Sequence, residues 1–117
     1  MLFKFSHTAD LEAMMAALGK SQAVSQFDMQ GNILPANANF LGALGYTLDE
    51  IKGKHHSLFV DADYARSPEY QAFWQSLRAG TYQSAEYRRL GKGGKEVWIQ
   101  ASYNPILDSS GRPYKVV

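Results

Sequence analysis

Hydrophobic residues near the start of the chain recur at helical spacing. The four residues concerned are Leu11, Met14, Met15 and Leu18. Thr8 can cap the start of this helix and Gly19 can end it, which predicts a short amphipathic helix over about residues 9–18. Its apolar stripe can pack on the rest of the domain or on a second copy of the chain. We therefore expect these four side chains to make packing or dimer contacts.

The next segment alternates in a way that is typical of a hairpin. "SQAVSQFDMQGNILPAN" contains two extended runs on either side of the turn at residues 28–31, which has glycine at its last position.

Three helix patterns follow, and each has its own start signal. Asn37 or Asn39 can cap the first, which Gly45 ends. Thr47 opens a T-L-D-E capping box for the second. Ser67 can cap the third, where a proline occupies the first helical position.

The last third of the chain alternates with a period of two. Runs over residues 82–90 and 95–106 flank "GKGG", a glycine-rich hairpin, and a third, interrupted run ends the chain. In the second run the apolar residues Val97, Ile99, Ala101 and Tyr103 share one face. Trp98 lies on the opposite face, which predicts a packing or dimer contact. Strands at both ends with helices between them indicate an α+β fold with an antiparallel sheet.

Composition narrows the possible functions. The 117 residues suffice for one domain, and a net charge of +1 gives no electrostatic footprint for nucleic acid. The absence of cysteine excludes disulfides, thiolate metal sites and cysteine nucleophiles. No apolar run is long enough to cross a bilayer, so we expect no membrane insertion. Arg88, Arg89, Lys92 and Lys95 around the hairpin are expected to form a solvated basic edge.

The motifs in this order resemble the PAS family. They are "FDMQGNILPANANFLGALGY", "TLDEIKG" and "YNPILDSSGRP". The resemblance implies a five-stranded antiparallel sheet, a helical cluster over one face and the N-terminal helix on the other. It divides the chain into an N-terminal helix at residues 1–20 and a PAS domain at residues 21–117 that is cut within its last strand. Residues 37–77 would then roof a cavity whose floor is the sheet.

A narrower likeness is carried by "GYTLDEIKGKHHSLFV" and the final hairpin, which are similar to PAS modules of methyl-accepting chemotaxis proteins, including aerotaxis receptors. This implies a cytoplasmic, homodimeric sensor of redox, oxygen or a small ligand, with no catalysis of its own. Its signal would reach the chemotaxis kinase complex through a C-terminal region. The alternative is a cofactor-free dimerisation or interaction module. A third hypothesis is an enzyme that uses His55 or His56.

The histidine pair, His55 and His56, is the most conspicuous chemical feature. Either side chain could ligate haem iron or respond to pH. Alternatively, the two diverge, one packing under the helices and one meeting solvent. Haem-binding PAS domains of the oxygen-sensing kinase type carry their histidine on the long helix, and residues 68–79 contain none.

Flavin is the other cofactor that the resemblance implies, as FAD in aerotaxis receptors. The predicted cofactor-binding residues are Asn37, Phe40, His55, His56, Trp74, Tyr82 and Ile99. Two positions depart from the pattern: "FVDADY" is acidic where aerotaxis receptors are basic, and Ile99 stands where flavin-binding light sensors have asparagine. Light-driven adduct chemistry is excluded because it needs a cysteine. An empty or differently filled cavity is the third possibility.

Overall fold

The computed structural model describes residues 2–117, with side chains described from residue 9 onward. Its helices and strands are, in chain order, α1 (Leu2–Ser21), β1 (Ser25–Phe27), β2 (Ile33–Ala36), α2 (Ala38–Leu44), α3 (Leu48–Ile51), α4 (Ala62–Ala65), α5 (Pro68–Arg78), β3 (Gln83–Leu90), β4 (Glu96–Tyr103), β5 (Pro105–Leu107) and β6 (Pro113–Val116). Short 3₁₀ turns occupy His56–Phe59 and Lys92–Gly94. The predicted order of helix, two strands, helical cluster and further strands is confirmed.

The strands form two antiparallel ladders, β2-β1-β6-β5 and β3-β4. Asn104 joins them, because its backbone exchanges hydrogen bonds of 2.8 and 2.9 Å with Val117. The strand predicted over residues 95–106 is therefore one chain path that changes partner. It leaves β3 after Tyr103, opposite the first residue of β3, and then pairs with β6. The result is the predicted five-stranded antiparallel sheet, with its fourth strand interrupted.

Capping side chains set the boundaries of the helical cluster. Asn37 accepts the backbone N–H of Phe40 at the start of α2, and the left-handed Gly45 ends that helix. Thr47 and Glu50 form the predicted capping box of α3. Ser67 caps α5, ahead of the proline at its first position. The three start signals that the sequence shows in the helical cluster are confirmed, with Asn37 rather than Asn39 as the first cap.

Helix α1 is longer than predicted. It begins at Leu2, so Thr8 lies inside the helix instead of capping it. The stretch "LFKFSHT" contains neither glycine nor proline that would stop a helix there. The C-terminal half of α1 lies beside Gln26 and Pro35, at the edge of the sheet.

The predicted contact residues of α1 stay accessible within one chain. Leu11, Met14, Met15 and Leu18 are between 48% and 55% exposed, and Trp98 on β4 is 63% exposed. Helix α1 therefore does not cover Trp98 in the monomer, and packing of Trp98 within one chain is wrong. A dimer contact through these residues stays a prediction. Among the described residues, no helix combines the length and apolarity that a bilayer crossing requires.

The core lies between the inner face of the sheet and helices α2–α5. It is rich in aromatic side chains, several in edge-to-face contact, such as Phe73 and Tyr103 with ring centroids 4.9 Å apart. Its buried hydrophobic residues are Phe27, Ile33, Leu44, Ile51, Phe59, Val60, Tyr70, Phe73, Trp74, Leu77, Tyr103 and Val116.

One close backbone approach fixes α2 against the β3–β4 hairpin. A Cβ atom at Gly91 would lie 2.7 Å from the carbonyl oxygen of Leu44, the last residue of α2. Only glycine fits there, although its backbone angles would suit any residue. Lys92 also forms an ion pair with Glu50 of α3. The hairpin and the helical cluster are therefore in direct contact at this end.

Two hairpin turns have the same construction. Asp28 and Asp108 each accept, through Oδ1, the backbone N–H groups two and four residues further along, at 2.8–3.0 Å. Gly31 and Gly111 close the two turns with φ of +89° and +85°. The carboxylate thus satisfies the donors that a tight turn leaves free, and glycine takes the left-handed conformation.

Candidate ligand-binding cavity

A cavity of about 610 Å³ opens between the inner face of the sheet and α2. Its apolar wall includes Phe27, Phe40, Leu44, Phe59 and Ile99. His56, Arg89 and Tyr103 supply buried polar groups at one side. This volume lies in the range of small-molecule sites, and a mostly apolar lining with few convergent polar groups is typical of them.

His56 is buried at that wall, with 1% of its surface exposed. The 3₁₀ turn that starts there places the ring between two elements. Its Nδ1 lies 2.7 Å from the hydroxyl of Tyr70 on α5, and its Nε2 lies 3.1 Å from the hydroxyl of Tyr103 on β4. The imidazole therefore connects the helical cluster to the sheet.

Arg89 on β3 completes this chain of polar groups and is 4% exposed. Its Nη2 and Nε donate to the Tyr103 hydroxyl at 3.0 and 3.2 Å, and its Nη1 donates to the carbonyl of Arg88 at 3.2 Å. The guanidinium carbon lies 4.5 Å from the centre of the Tyr87 ring. Aromatic faces thus surround the cation.

The four groups have one consistent hydrogen-bond direction. Arginine only donates, so the Tyr103 oxygen accepts twice and must use its own proton toward Nε2 of His56. Nδ1 of His56 then carries the ring proton and donates to Tyr70. Arg89 thereby selects the tautomer of a histidine with which it shares no hydrogen bond.

Burial sets the protonation states of these four hydrogen-bonded side chains. Burial, helped by the nearby Arg89 and His55, holds the pKa of His56 well below its ordinary value. Burial also raises the pKa of Tyr70 to about 12 and raises the pKa of Tyr103. At neutral pH the histidine and both tyrosines are uncharged, and Arg89 carries the charge of the group.

The two adjacent histidines diverge, as one reading of the sequence predicted. His55 accepts the backbone N–H of Ser57 through Nδ1 at 3.0 Å, and its Nε2 lies 2.8 Å from the carbonyl oxygen of Gln30. It also packs on Gly31, where a Cβ atom would come within 2.7 Å of its Nε2. His55 holds the first hairpin turn against the helices and does not line the cavity.

The remaining predicted cofactor residues do not gather at one place. Phe40 and Ile99 line the cavity, as His56 does. Asn37 lies outside the cavity lining and uses its amide on backbone groups of the end of α1, of the α1–β1 connection and of α2. Tyr82 is 65% exposed. Trp74 is buried behind His56, with ring centroids 5.5 Å apart.

Neither haem nor flavin fits the residues that the sequence assigned to it. Both ring nitrogens of His56 are occupied by tyrosine hydroxyls, so iron ligation would cost a buried hydrogen bond, and His55 faces away. Of the seven residues proposed for flavin, three reach the cavity. Among the described residues, no cluster of three or more histidine, aspartate or glutamate side chains could hold a metal ion.

Sequence reasoning missed Arg89 and the two tyrosines. The prediction that Arg89 lies on a solvated basic edge is wrong, because the hairpin register pairs Arg89 with Val97 on the inner face of the sheet. This register was the only feature of the sequence that could have shown that Arg89 points inward. Two of the neighbouring basic residues are paired: Arg88 with Asp61 and Glu96, and Lys92 with Glu50. Of the predicted basic edge, only Lys95 is exposed without an ion pair among the described residues.

Solved structures share this architecture at low sequence identity. An RNA-binding light-oxygen-voltage receptor superposes with a TM-score of 0.76 and 19% identity over 93% of this chain and 32% of that chain. A PAS domain of a Colwellia psychrerythraea protein gives 0.69 and 19% identity over 80% and 79%. At such identities the likeness concerns the fold alone.

Characterised relatives are closer in sequence. Biofilm dispersion protein BdlA of Pseudomonas aeruginosa is 39% identical over 108 residues, which are 92% of this chain and 26% of that protein. The aerotaxis receptor of Escherichia coli is 29% identical over 84 residues, 72% of this chain and 16% of the receptor. The chain thus spans about a quarter of the length of a biofilm dispersion protein and about a sixth of that of a taxis receptor. Residues 33–117 match the family described as PAS fold, and the chain belongs to that family.

Proposed function

We propose that the chain is a sensory module that reports whether a small molecule occupies its cavity. The observation that supports this most directly is the cavity of about 610 Å³ with His56, Tyr103 and Arg89 at one wall. A module that acts only in dimerisation or protein interaction does not require a cavity with a buried cation at its wall. The similarity to an aerotaxis receptor and a biofilm dispersion protein favours the same role.

The polar chain gives the signal a route out of the cavity. Tyr70 lies on α5, His56 on the turn between α3 and α4, Tyr103 on β4 and Arg89 on β3. A ligand that contacts any one of these groups changes the hydrogen bonds of the others. A coupling free energy of about 1–3 kcal/mol is typical of allosteric switching, and exchange of one or two such bonds supplies it.

A second copy of the chain is the partner proposed for α1. Leu11, Met14, Met15 and Leu18 repeat at spacings of three and four residues, which suits a seam between two parallel or antiparallel helices. Trp98 offers a further exposed apolar contact on the outer sheet face. The output would pass to a chemotaxis kinase complex in the cytoplasm through the rest of a longer receptor, without catalysis by this module.

Occupancy of the cavity is the test of the sensory proposal. We expect native mass spectrometry to find a small molecule bound to the purified chain, or a metabolite library to yield one that stabilises it thermally. Ala101→Phe fills the cavity wall and should abolish that binding. Ala85→Phe is the matched control, because Ala85 pairs with Ala101 across the ladder but lies outside the cavity lining. An absorption spectrum identifies flavin or haem directly.

Two results would overturn this proposal. One is equal binding by both alanine variants, since the site would then lie elsewhere. The other is a chain that carries no molecule and is stabilised by no member of the library.

The dimer has its own test. Light scattering should give the mass of two chains for the natural sequence and of one chain for the double variant Met15→Glu, Leu18→Glu. The double variant Ala9→Glu, Ala13→Glu places the same two charges on the opposite side of α1 and should leave the dimer intact. Equal masses for the two double variants would refute a dimer through the apolar stripe.

A further inference from the structure

Arg89 carries a charge that the described residues do not balance. The described residues form four ion pairs: one with Arg66, two with Arg88 and one with Lys92. Arg89 takes part in none of them. Arginine stays protonated at any pH a protein tolerates. A cation withdrawn from water costs several kcal/mol unless an anion accompanies it. Arg89 is 4% exposed, and aromatic rings and hydrogen bonds compensate its charge without a carboxylate partner. An anion from outside the chain would therefore stabilise it further.

The guanidinium also keeps unused hydrogen-bonding capacity. It has five N–H groups, and three of them reach the Tyr103 hydroxyl and the Arg88 carbonyl. One N–H on each terminal nitrogen has no acceptor among the described residues. Two donors on adjacent nitrogens are the arrangement that planar carboxylates meet with two parallel hydrogen bonds.

The cavity in front of Arg89 contains no competing acid. Of the residues that line it, none is aspartate or glutamate, and the other polar groups are neutral hydroxyl, amide and imidazole. Much of the remaining lining is apolar and includes Phe40, Leu44, Phe59 and Ile99. One end of the cavity thus attracts negative charge, and the rest accommodates an apolar body.

We infer that the cavity takes a small organic monocarboxylate, whose apolar body lies among these hydrophobic side chains and whose carboxylate binds Arg89. A single cation suits one carboxylate, whereas a phosphate dianion would need further positive partners. The inference rests on the proposed sensory function, because it names the ligand class of the same cavity. It also gives the signal its first step: a carboxylate bound to the two free N–H groups pulls on the guanidinium, strains its bonds to Tyr103 and so alters the bond from Tyr103 to His56.

The test compares acids with their neutral amides. The probes are octanoate, benzoate and phenylacetate against octanamide, benzamide and phenylacetamide, measured by isothermal titration calorimetry and thermal shift. Charge-assisted hydrogen bonds are worth about a 10- to 100-fold change in affinity. We expect at least one acid to bind the natural chain more than 10-fold tighter than its amide, and the difference to vanish in Arg89→Gln.

Two variants make the result specific. Arg88→Gln removes the adjacent arginine, whose charge is already paired at the surface, and should keep the preference for acids. Ala101→Phe should remove binding of acid and amide alike. If Arg89→Gln does not fold, the acid-to-amide ratio in the natural chain and its persistence in Arg88→Gln still decide the matter.

The inference is overturned if acid and amide bind equally, if Arg88→Gln abolishes the preference as Arg89→Gln does, or if no acid binds. These failures are distinguishable from failure of the sensory proposal. A neutral molecule bound to the natural chain and lost in Ala101→Phe would leave the sensory function standing and remove the carboxylate. A cavity that takes no molecule of either kind would remove both.

Discussion

Replacement of Tyr103 by phenylalanine should destabilise this protein far more than the loss of one oxygen atom suggests. The ring and its contacts with Phe73 and Tyr87, at centroid distances of 4.9 and 5.4 Å, would remain. What disappears is the hydroxyl that accepts two N–H groups of Arg89 and donates to His56. The substitution leaves a buried cation and a buried imidazole nitrogen without their partner.

The size of the effect follows from the number and type of bonds lost. Hydrogen bonds to a charged group contribute about 1.5–3 kcal/mol, and a neutral one contributes about 1 kcal/mol. Because both arginine bonds end on one oxygen, they do not add fully, so we expect Tyr103→Phe to lower the free energy of unfolding by about 3–5 kcal/mol. For a domain of this size that is a drop in Tm of roughly 10–20 °C.

Two other tyrosines of the same region provide graded controls. Tyr70→Phe removes one bond between neutral groups and should cost about 1–2 kcal/mol. The hydroxyl of Tyr87 has no hydrogen-bond partner in the described part of the chain, so Tyr87→Phe should change stability by less than about 0.5 kcal/mol. Urea unfolding followed by tryptophan fluorescence measures all three, because Trp74 lies in the core beside His56.

The test is the order of the three variants in their loss of free energy of unfolding. If Tyr103→Phe loses no more than Tyr87→Phe, the Tyr103 hydroxyl does not stabilise the buried cation, and the hydrogen bonds of Arg89, Tyr103, His56 and Tyr70 contribute nothing measurable to stability. The double variant Tyr103→Phe, Arg89→Met gives a second check. Removal of both partners should cost clearly less than the sum of the two single changes, because no buried donor is then orphaned.

Further predictions concern His56 and two glycines. The pKa of His56 is lowered in the folded state, so below about pH 6.5 only the unfolded state binds a proton at this residue. The free energy of unfolding should therefore fall by up to about 1.4 kcal/mol per pH unit toward pH 5. Urea unfolding at a series of pH values should show a weaker pH dependence for His56→Gln. Gly91→Ala should cost about 1–3 kcal/mol, since its Cβ would meet the Leu44 carbonyl. Gly42→Ala, inside α2 with open space around it, should instead gain about 0.5–1 kcal/mol; equal thermal shifts for the two alanine variants would contradict the close approach.

Most of the architecture could be predicted because it rests on local chemistry. Capping residues such as Asn37, Thr47 and Ser67 act within four positions of themselves, and alternation in β4 sorts side chains between two faces. The family match over residues 33–117 confirms what those patterns indicated. The start of α1 was misjudged because Thr8 suits a cap but equally tolerates a helix interior.

The candidate site was harder to predict because it depends on register between distant segments. Arg89 looks like any surface arginine beside Arg88, and only its pairing with Val97 shows that it points inward. The partners of His56 lie 14 and 47 residues away along the chain. Asn37 has the right functional group for a ligand contact, but its amide oxygen is hydrogen-bonded to the backbone N–H groups of Val24 and Phe40.

The two matching hairpin turns differ in what their middle residues do. Met29 in the first turn packs against the core, and Arg78 donates to its carbonyl, so that turn is tied to the helices. Ser109 and Ser110 in the second are exposed, and Ser110 contacts its own aspartate. A peptide or a fluorescent label could accordingly be inserted at Ser109 while Asp108 and Gly111 keep β5 and β6 paired. The domain thus offers a labelling site at residues that do not line the cavity whose occupancy the label would report.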